Sequence, residues 1–241
     1  HFSGRITAPL LFAGAIAMQL LEKRNIFIGS RIKSIYNVDD DNFIGECINK
    51  NLLDKLKSME FPVFSEEKKN AMKSEIQRAK KEGDSVGGIA ETFILNLPAG
   101  LGQPFFDSVE SRLSHILFSI PAVKGIEFGK GFDITRMRGS ESNDAYSVEK
   151  SNIITKSNNN GGITGGITNG ADIIFRAAIK PTPSISLVQD TVNISSMEST
   201  KLQIEGRHDP CIVQRALPVI EGSVALVILD LILERDGELW K

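Results

Sequence analysis

The chain has 241 residues, of which 41% are hydrophobic and 24% charged, so it suits a single globular domain over residues 1–241 with a substantial core. Its formal net charge of −2 argues against general binding to nucleic acids or membranes, and an anionic ligand would need local groups of Arg and Lys. Two cysteines are too few for a disulfide framework and favour a reducing, cytoplasmic compartment. The longest apolar runs, residues 10–21 and 224–233, are too short to span a bilayer, and no signal peptide is visible.

The chain begins with a predicted helix followed by a predicted strand. Thr7 and Pro9 suit a helix start, and the residues at 10–21 form a broad apolar helical face. Residues 26–38 alternate apolar and polar side chains, which predicts a strand that ends in a turn at 39–42.

Two helices are predicted next, and the second should begin at Ser65 and end at Gly83 because these are typical capping residues. Helical spacing predicts further helices at 104–119 and 210–233, the last one bent at Pro218. Apolar or alternating patterns predict strands at 89–97, 123–128, 173–179, 185–194 and 200–205.

Two segments have neither pattern. Residues 130–150 lack apolar periodicity and predict a mobile flap, whereas residues 158–170, the Gly-rich segment, contain two successive Gly-Gly-Ile-Thr sequences. Because strand runs stand beside helix runs, the order of elements favours an α+β layered fold over a parallel doubly wound sheet.

The Gly-rich segment is the first candidate site. Glycines permit positive φ and close backbone approach, so exposed N–H groups could hold a phosphate or a flavin ring. A flexible linker or a pair of tight turns explains the same composition equally well. The segment is neither a Walker loop nor a Rossmann fingerprint.

The Lys180 turn, residues 180–184, reads Lys-Pro-Thr-Pro-Ser and follows an apolar strand. One cation and two hydroxyls on a turn stiffened by proline could bind a phosphate. By pattern alone, a surface turn between strands is favoured.

The Arg207 loop, residues 206–210, precedes the C-terminal helix. Asp209 before Pro210 is good capping chemistry, yet Arg207, His208 and Asp209 in succession also describe an anion site with a proton-transfer group. Cys211 is expected to be packed rather than nucleophilic.

Other polar residues carry weaker signals. Ser3 and Arg5 stand before the first helix and could meet an anion there, whereas His115 is predicted to be a structural histidine. Gly83 to Gly88 lacks the spacing of a nucleophile elbow, so a hydrolase triad is rejected. No spacing of Cys or His suggests a structural metal.

Taken in order, these segments resemble chorismate synthase from His1 to about Leu231. The motifs that carry the resemblance are Ser3-Gly4-Arg5 through Ala13-Gly14-Ala15-Ile16-Ala17, Gly83-Asp84-Ser85-Val86-Gly87-Gly88, Gly100-Leu101-Gly102, Pro121-Ala122-Val123-Lys124-Gly125-Ile126-Glu127-Phe128-Gly129, Gly139-Ser140-Glu141, the Gly-rich segment, the Lys180 turn and the Arg207 loop. Each motif alone is modest, but the ordered set is specific.

The resemblance implies an α+β fold in which antiparallel sheets sandwich a helical layer, and a homotetramer. It also implies a 1,4-anti elimination of phosphate from 5-enolpyruvylshikimate 3-phosphate, giving chorismate. The family requires reduced FMN, which is thought to donate electron density and to help remove the ring proton through N5. NADPH is a candidate reductant.

The resemblance also assigns roles to residues. Asp209 is expected to relay the proton, Arg5 to bind substrate, and Arg207 to lie between flavin and substrate. The remaining cofactor-binding residues implied by the resemblance are Ser3, Pro121, Ala122, Gly165, Lys180, Pro181, Thr182, Pro183 and Ser184.

Some family features differ or have no counterpart. His1 stands where many members carry Arg, and Pro183 stiffens the Lys180 turn relative to a serine-containing version. The family's Gly-Glu-Ser-His motif, a second catalytic histidine and several arginines are not found. We therefore expect this sequence to be part of a longer protein and to be inactive by itself. A flavin oxidoreductase and a non-catalytic nucleotide-binding module remain alternative functions.

Overall fold

The computed structural model describes residues 3–42, 48–149 and 151–237. Its strands are β1 (Phe27–Ile35), β2 (Val38–Asp39), β3 (Gly88–Leu95), β4 (Val123–Phe128), β5 (Tyr146–Glu149), β6 (Asn152–Thr155), β7 (Ile163–Thr164), β8 (Ile167–Thr168), β9 (Ile173–Ile179), β10 (Gln189–Asn193) and β11 (Glu198–Leu202). Its helices are α1 (Ala8–Glu22), α2 (Lys50–Ser58), α3 (Glu66–Glu82), α4 (Val109–Ser119), α5 (Gly139–Ser142) and α6 (Val213–Asp236), with 3-10 turns at Gly4–Thr7, Phe105–Asp107 and Gly131–Arg136.

A five-stranded antiparallel sheet in the order β2-β1-β3-β9-β4 is the centre of the fold. Side chains alternate between its two faces, and both faces carry apolar residues. On one face, Ile28, Ile94 and Phe175 join the main core, while on the other Phe27 and Phe93 pack with α2 in a smaller cluster. The sheet is therefore covered by helices on both sides.

The helical layer consists mainly of α1 and α6, which cross at two glycines. A Cβ atom added to Gly14 would lie only 2.4 Å from the Cα of Gly222, so only glycine at position 14 allows this approach. Leu21 of α1, Leu113 of α4 and Ile228 of α6 are buried in the same core. An antiparallel sheet packed against this layer confirms the predicted α+β class.

Several predicted boundaries are confirmed, and the reason is local. Ser65 caps α3 by accepting a hydrogen bond from the N–H of Lys68, and Gly83 ends it in the left-handed region at φ 73°. These signals depend only on neighbouring residues, so the sequence alone reveals them. The predicted strands at 123–128 and 173–179 match β4 and β9.

Other boundaries differ from the prediction. The predicted strand at 26–38 is two strands, because Tyr36 has φ 51° and turns the chain so that Ile35 pairs with Val38. The helix predicted at 104–119 begins only at Val109, where Ser108 caps it. The strands predicted at 185–194 and 200–205 are the shorter β10 and β11.

The prediction that no apolar run is long enough to span a bilayer is wrong on length and composition. Gly4–Glu22 and Val213–Asp236 contain windows with mean hydropathies of 1.4 and 2.2. The α6 window is 56% buried inside the protein, as expected for a helix at the centre of a core. The core helices of soluble proteins reach the same length and mean hydropathy, so this finding is weak evidence for a membrane segment.

The segment predicted as a flap contains regular structure. It includes the 3-10 turn Gly131–Arg136, helix α5, and strand β5 paired with β6, while residue 150 lies outside the described part. Its mobility stays a prediction.

Candidate active site

A cavity of about 870 Å³, here called the cleft, lies where five segments meet. These are the start of α1, the loop between α4 and β4, the Lys180 turn, the Arg207 loop, and the first half of α6. Eight of the residues singled out by the sequence line it: Ser3, Arg5, Pro121, Ala122, Lys180, Thr182, Pro183 and Asp209. Residues from both ends of the chain are thus brought together by the sheet and the helical layer.

Backbone contacts set the position of the Lys180 turn. The N–H of Lys180 donates to the carbonyl of Ala122 at 2.9 Å, which joins the turn to the loop before β4. Ala122 itself has φ 76°, an uncommon conformation for a residue with a Cβ. Ser85 Oγ donates to the Thr182 carbonyl at 2.7 Å and fixes the turn from the other side.

The hydroxyls of the Lys180 turn contact the Arg207 loop. Thr182 Oγ1 donates to the backbone carbonyl of Asp209 at 2.8 Å. Ser184 Oγ lies 3.0 Å from His208 Nδ1, and His208 Nε2 lies 3.0 Å from the Ile204 carbonyl. Since the carbonyl can only accept, His208 Nε2 donates to Ile204, and Nδ1 is left to pair with Ser184 Oγ. Both hydroxyls therefore position the loop that carries Asp209.

Asp209 does not cap α6, contrary to the prediction from the Asp-Pro sequence. The helix begins at Val213, and its N-cap residue Ile212 makes no side-chain cap bond. Asp209 Oδ2 instead lies 2.6 Å from Arg215 Nη1, and the Asp209 side chain is 29% exposed. The carboxylate is therefore accessible from the cleft while its backbone and side chain are both held.

A second cavity of about 790 Å³, here called the side cavity, shares Arg5, Asp209 and Arg215 with the cleft. Arg207 and His208 line the side cavity rather than the cleft, together with Lys80 of α3. The three shared residues form the boundary between the two spaces. A group bound in either cavity could therefore reach Asp209.

Ser3 has a local structural role as well. Its Oγ accepts a hydrogen bond from the N–H of Arg5 at 3.2 Å and caps the 3-10 turn Gly4–Thr7. This bond presents Arg5 at the start of α1, where its side chain lines both cavities. His1, which departs from the family pattern, lies outside the described residues.

Comparison with known proteins identifies the relatives of this chain. A family profile described as chorismate synthase matches residues 1–233. The chain belongs to the chorismate synthase family. It is 45% identical over 236 residues to the chorismate synthase of Pyrococcus abyssi and 46% identical over 233 residues to that of Dehalococcoides mccartyi. A crystal structure described as chorismate synthase matches with a TM-score of 0.80 at 31% identity.

The matches differ in how much of each protein they cover. They include 98% of this chain for the Pyrococcus protein and 97% for the Dehalococcoides protein, but only 64% and 63% of those relatives. The solved structure is likewise covered to 65%. The chain therefore spans slightly less than two thirds of the length of these chorismate synthases.

The cleft suits the flavin mononucleotide expected for a chorismate synthase. Its volume of about 870 Å³ falls in the usual range of cofactor sites. Ile6, Pro121 and Val219 supply apolar surface for a ring system, and Lys124 and Lys180 supply positive charge for a phosphate. Pro181 and Ser184 line neither cavity, and their contact with the cofactor stays a prediction.

The Gly-rich segment lies elsewhere in this chorismate synthase relative. It forms a hairpin of β7 and β8 whose turn, Gly165 and Gly166, has φ of 62° and 86°. The Gly166 carbonyl accepts from the N–H of Val109 at the start of α4, whereas Ser119 at the end of α4 lines the cleft. An 11-residue helix, about 16 Å long, separates them. Gly165 lines neither the cleft nor the side cavity, and its contact with the cofactor stays a prediction.

Asp144 ties down the start of the Gly-rich segment. Its carboxylate accepts from the N–H groups of Asn159 and Asn160 and from the Oγ of Ser157, at 2.7 to 2.8 Å. Burial alone would raise the pKa of Asp144, but these hydrogen bonds outweigh it and lower the pKa. The ionised carboxylate is therefore part of the folded structure.

Two further predictions have clear outcomes. Cys211 packs against the main core, as predicted, and burial raises its pKa to about 11. Cys47 lies outside the described residues. The prediction that His115 is a structural histidine is wrong, because the side chain is exposed on α4 and lines a third cavity.

Lys124 and Arg215 line the cleft but were not predicted as site residues. Arg215 had one usable signal: α6 is apolar over most of its length, and Arg235 in its last turn is its only other Lys or Arg. A single cation in the first turn of such a helix is unusual, since the positive end of the helix dipole disfavours it. Lys124 lies inside a family motif and has no separate signal.

Proposed function

We propose that the intact protein is a lyase that eliminates phosphate from 5-enolpyruvylshikimate 3-phosphate to give chorismate, with reduced FMN as cofactor. The observation that carries this proposal is the convergence of Arg5, Lys180 and Asp209 on one cleft, from segments that are about 30 to 200 residues apart in the chain. Membership of the chorismate synthase family supports the reaction class.

Cofactor binding is assigned to the cleft. Lys180 would hold the FMN phosphate by charge, and Pro121 and Ala122 would contact the flavin. Reduced FMN, when bound, supplies electron density as the carbon–oxygen bond breaks. The hydroxyls of Thr182 and Ser184 are bound to the Arg207 loop, so a phosphate would have to exchange these hydrogen bonds to use them.

Asp209 is assigned the proton-transfer role. Its carboxylate is paired with Arg215, is partly exposed, and lies between both cavities. Arg5 and Arg207 line the side cavity together with Asp209, where their guanidinium groups would bind the anionic groups of the substrate. Proton transfer at Asp209 and anion binding at the two arginines would occur within one connected space.

The expectation that residues 1–241 alone are inactive belongs to this proposal, because the chain spans only 64% of the Pyrococcus relative. A homotetramer, NADPH as reductant and a cytoplasmic location also stay predictions.

The experiment is phosphate release from 5-enolpyruvylshikimate 3-phosphate by the intact protein without oxygen, with reduced and then oxidised FMN. The proposal predicts release with reduced FMN only. If folded protein with bound flavin releases no phosphate with either reduced or oxidised FMN, a binding module or an oxidoreductase becomes the better hypothesis. Oxidation of NADPH by bound FMN would then distinguish these two.

A further inference from the structure

Arg215 makes the side-chain contact that orients Asp209. Its Nη1 lies 2.6 Å from Asp209 Oδ2, within the range of a charge-assisted hydrogen bond. The backbone of Asp209 is held separately, through the bond from Thr182 to its carbonyl and through the bond from the Val86 N–H to the Pro210 carbonyl at 2.8 Å. The backbone contacts leave rotation about χ1 of Asp209 free, and the guanidinium restricts it.

Folding stability does not account for this pair. The Arg215 side chain is 78% exposed, and ion pairs at such positions contribute between zero and about 1 kcal/mol. The position at the start of α6 also opposes the helix dipole. What distinguishes Arg215 is its place on the wall shared by the cleft and the side cavity.

We infer that Arg215 is a positioning residue for the reaction, which holds the Asp209 carboxylate between the two cavities. The inference rests on the proposed function, because it assumes that Asp209 transfers a proton. Arg215 acts through Asp209 in this account and makes no contact of its own with substrate or flavin. Losing the guanidinium would let the carboxylate rotate away, and misplacing a catalytic group by about 1 Å costs on the order of 100-fold in rate.

The test is a double-mutant cycle on the intact protein. Arg215→Met should lower kcat about 10- to 100-fold, with KM and the FMN dissociation constant changed less than about twofold. In the Asp209→Ala background the same substitution should have no further effect, because its target is gone. Arg215→Lys should recover part of the activity, since an ammonium pairs as a point charge but lacks the planar fork.

The matched control is Arg78→Met. Arg78 pairs with Glu75 on α3, is 55% exposed, and lines neither cavity. It should leave kcat unchanged. An Arg215→Met effect that persists in the Asp209→Ala background, or that appears in KM alone, would overturn the inference in favour of direct substrate binding by Arg215.

A second readout needs no turnover. Crystal structures of the ligand-free intact protein and of its Arg215→Met variant should differ in the Asp209 rotamer. A carboxylate that keeps its position in the variant would refute the positioning role. Failure of the proposed function would appear differently, as a wild-type protein that releases no phosphate.

Discussion

The Gly-rich segment and the cleft differ in what their polar groups contact. The Gly-rich segment is tied to the rest of the chain at both ends. Asp144 binds the N–H groups at its start, and Thr168 Oγ1 near its end donates to the Pro98 carbonyl and accepts from the N–H of Leu101. In the cleft, by contrast, the side chains of Arg5 and Lys180 line open space.

Unusual composition does not by itself locate a binding site. The glycines of the Gly-rich segment are explained by positive φ and close backbone contacts, which are requirements of the hairpin. The cleft residues are ordinary in type and become a site only because the fold gathers them. Function is therefore expected to respond to cleft substitutions and stability to hairpin substitutions.

The largest effect is expected at Asp209. Asp209→Ala should lower kcat by about 100- to 10,000-fold, because it removes a proton-transfer group, while the FMN dissociation constant stays nearly unchanged. Anaerobic phosphate release and a flavin titration measure the two quantities. Asp190→Ala, which removes an exposed partner of Lys201, is the control. Equal losses in turnover and flavin affinity would mean that Asp209 is only structural.

A smaller effect, on cofactor affinity, is expected at Lys180. Lys180→Ala should weaken FMN binding about 10- to 100-fold, the usual value of a hydrogen bond to a charged group, and leave riboflavin binding unchanged. Isothermal titration with both flavins checks this, with Lys201→Ala as a surface control. Unchanged discrimination between FMN and riboflavin would rule out a phosphate contact at Lys180.

The third prediction concerns the stability of the Gly-rich segment. Asp144→Ala should lower the free energy of unfolding by about 3 kcal/mol, because several buried donors lose their acceptor. At temperatures where the variant is folded, kcat should match the wild type. Urea denaturation measures the stability, and phosphate release measures the activity. A variant that is stable but inactive would contradict the assignment of the Gly-rich segment to stability and of the cleft to function.

The pH dependence of the same contact has a defined sign. The hydrogen bonds lower the pKa of Asp144 in the folded state, so the stabilisation is complete above its unfolded pKa of about 4 and is lost as pH falls through the folded value. The wild type should therefore lose more stability than Asp144→Asn between pH 5 and pH 2, because the amide does not titrate. If the unfolding free energies of the two proteins changed in parallel with pH, protonation of Asp144 would not affect the stability.

The smallest effects are expected from glycine substitutions within the Gly-rich segment. Gly162 and Gly165 both have positive φ, so alanine costs on the order of 1 kcal/mol at either site. At Gly162 a Cβ would also lie 2.7 Å from the Asp172 carbonyl oxygen, whereas at Gly165 it would meet open space. Melting temperatures should fall more for Gly162→Ala. A loss of FMN affinity in Gly165→Ala would contradict the assignment of cofactor binding to the cleft alone, since the hairpin would then contact the cofactor.

The sequence predicted those features of the fold that depend on neighbouring residues. The ends of α3 at Ser65 and Gly83 are examples, because a cap acts within one turn. The start of α6 was predicted three residues too early. Asp209 and Pro210 suit a cap, but the bonds from Thr182 and Val86 hold their backbone carbonyls in a loop. Those partners are distant in the chain, so no local pattern contains them.

The candidate site was predicted only in part, because its geometry also depends on residues that are distant in the chain. Family motifs name Arg5, Lys180 and Asp209 without geometry, and the structure then brings them to one cleft. Arg215 was not predicted, because its contact with Asp209 depends on the direction of a side chain. Gly165 was named by its motif, and its contact with the cofactor stays a prediction.

The most direct test of this account is a crystal structure of the intact protein with FMN. The account predicts that FMN occupies the cleft, with its phosphate at Lys180 and its ring system against Pro121 and Ala122. FMN bound instead against the Gly-rich segment at the first turn of α4, with the cleft empty, would contradict it.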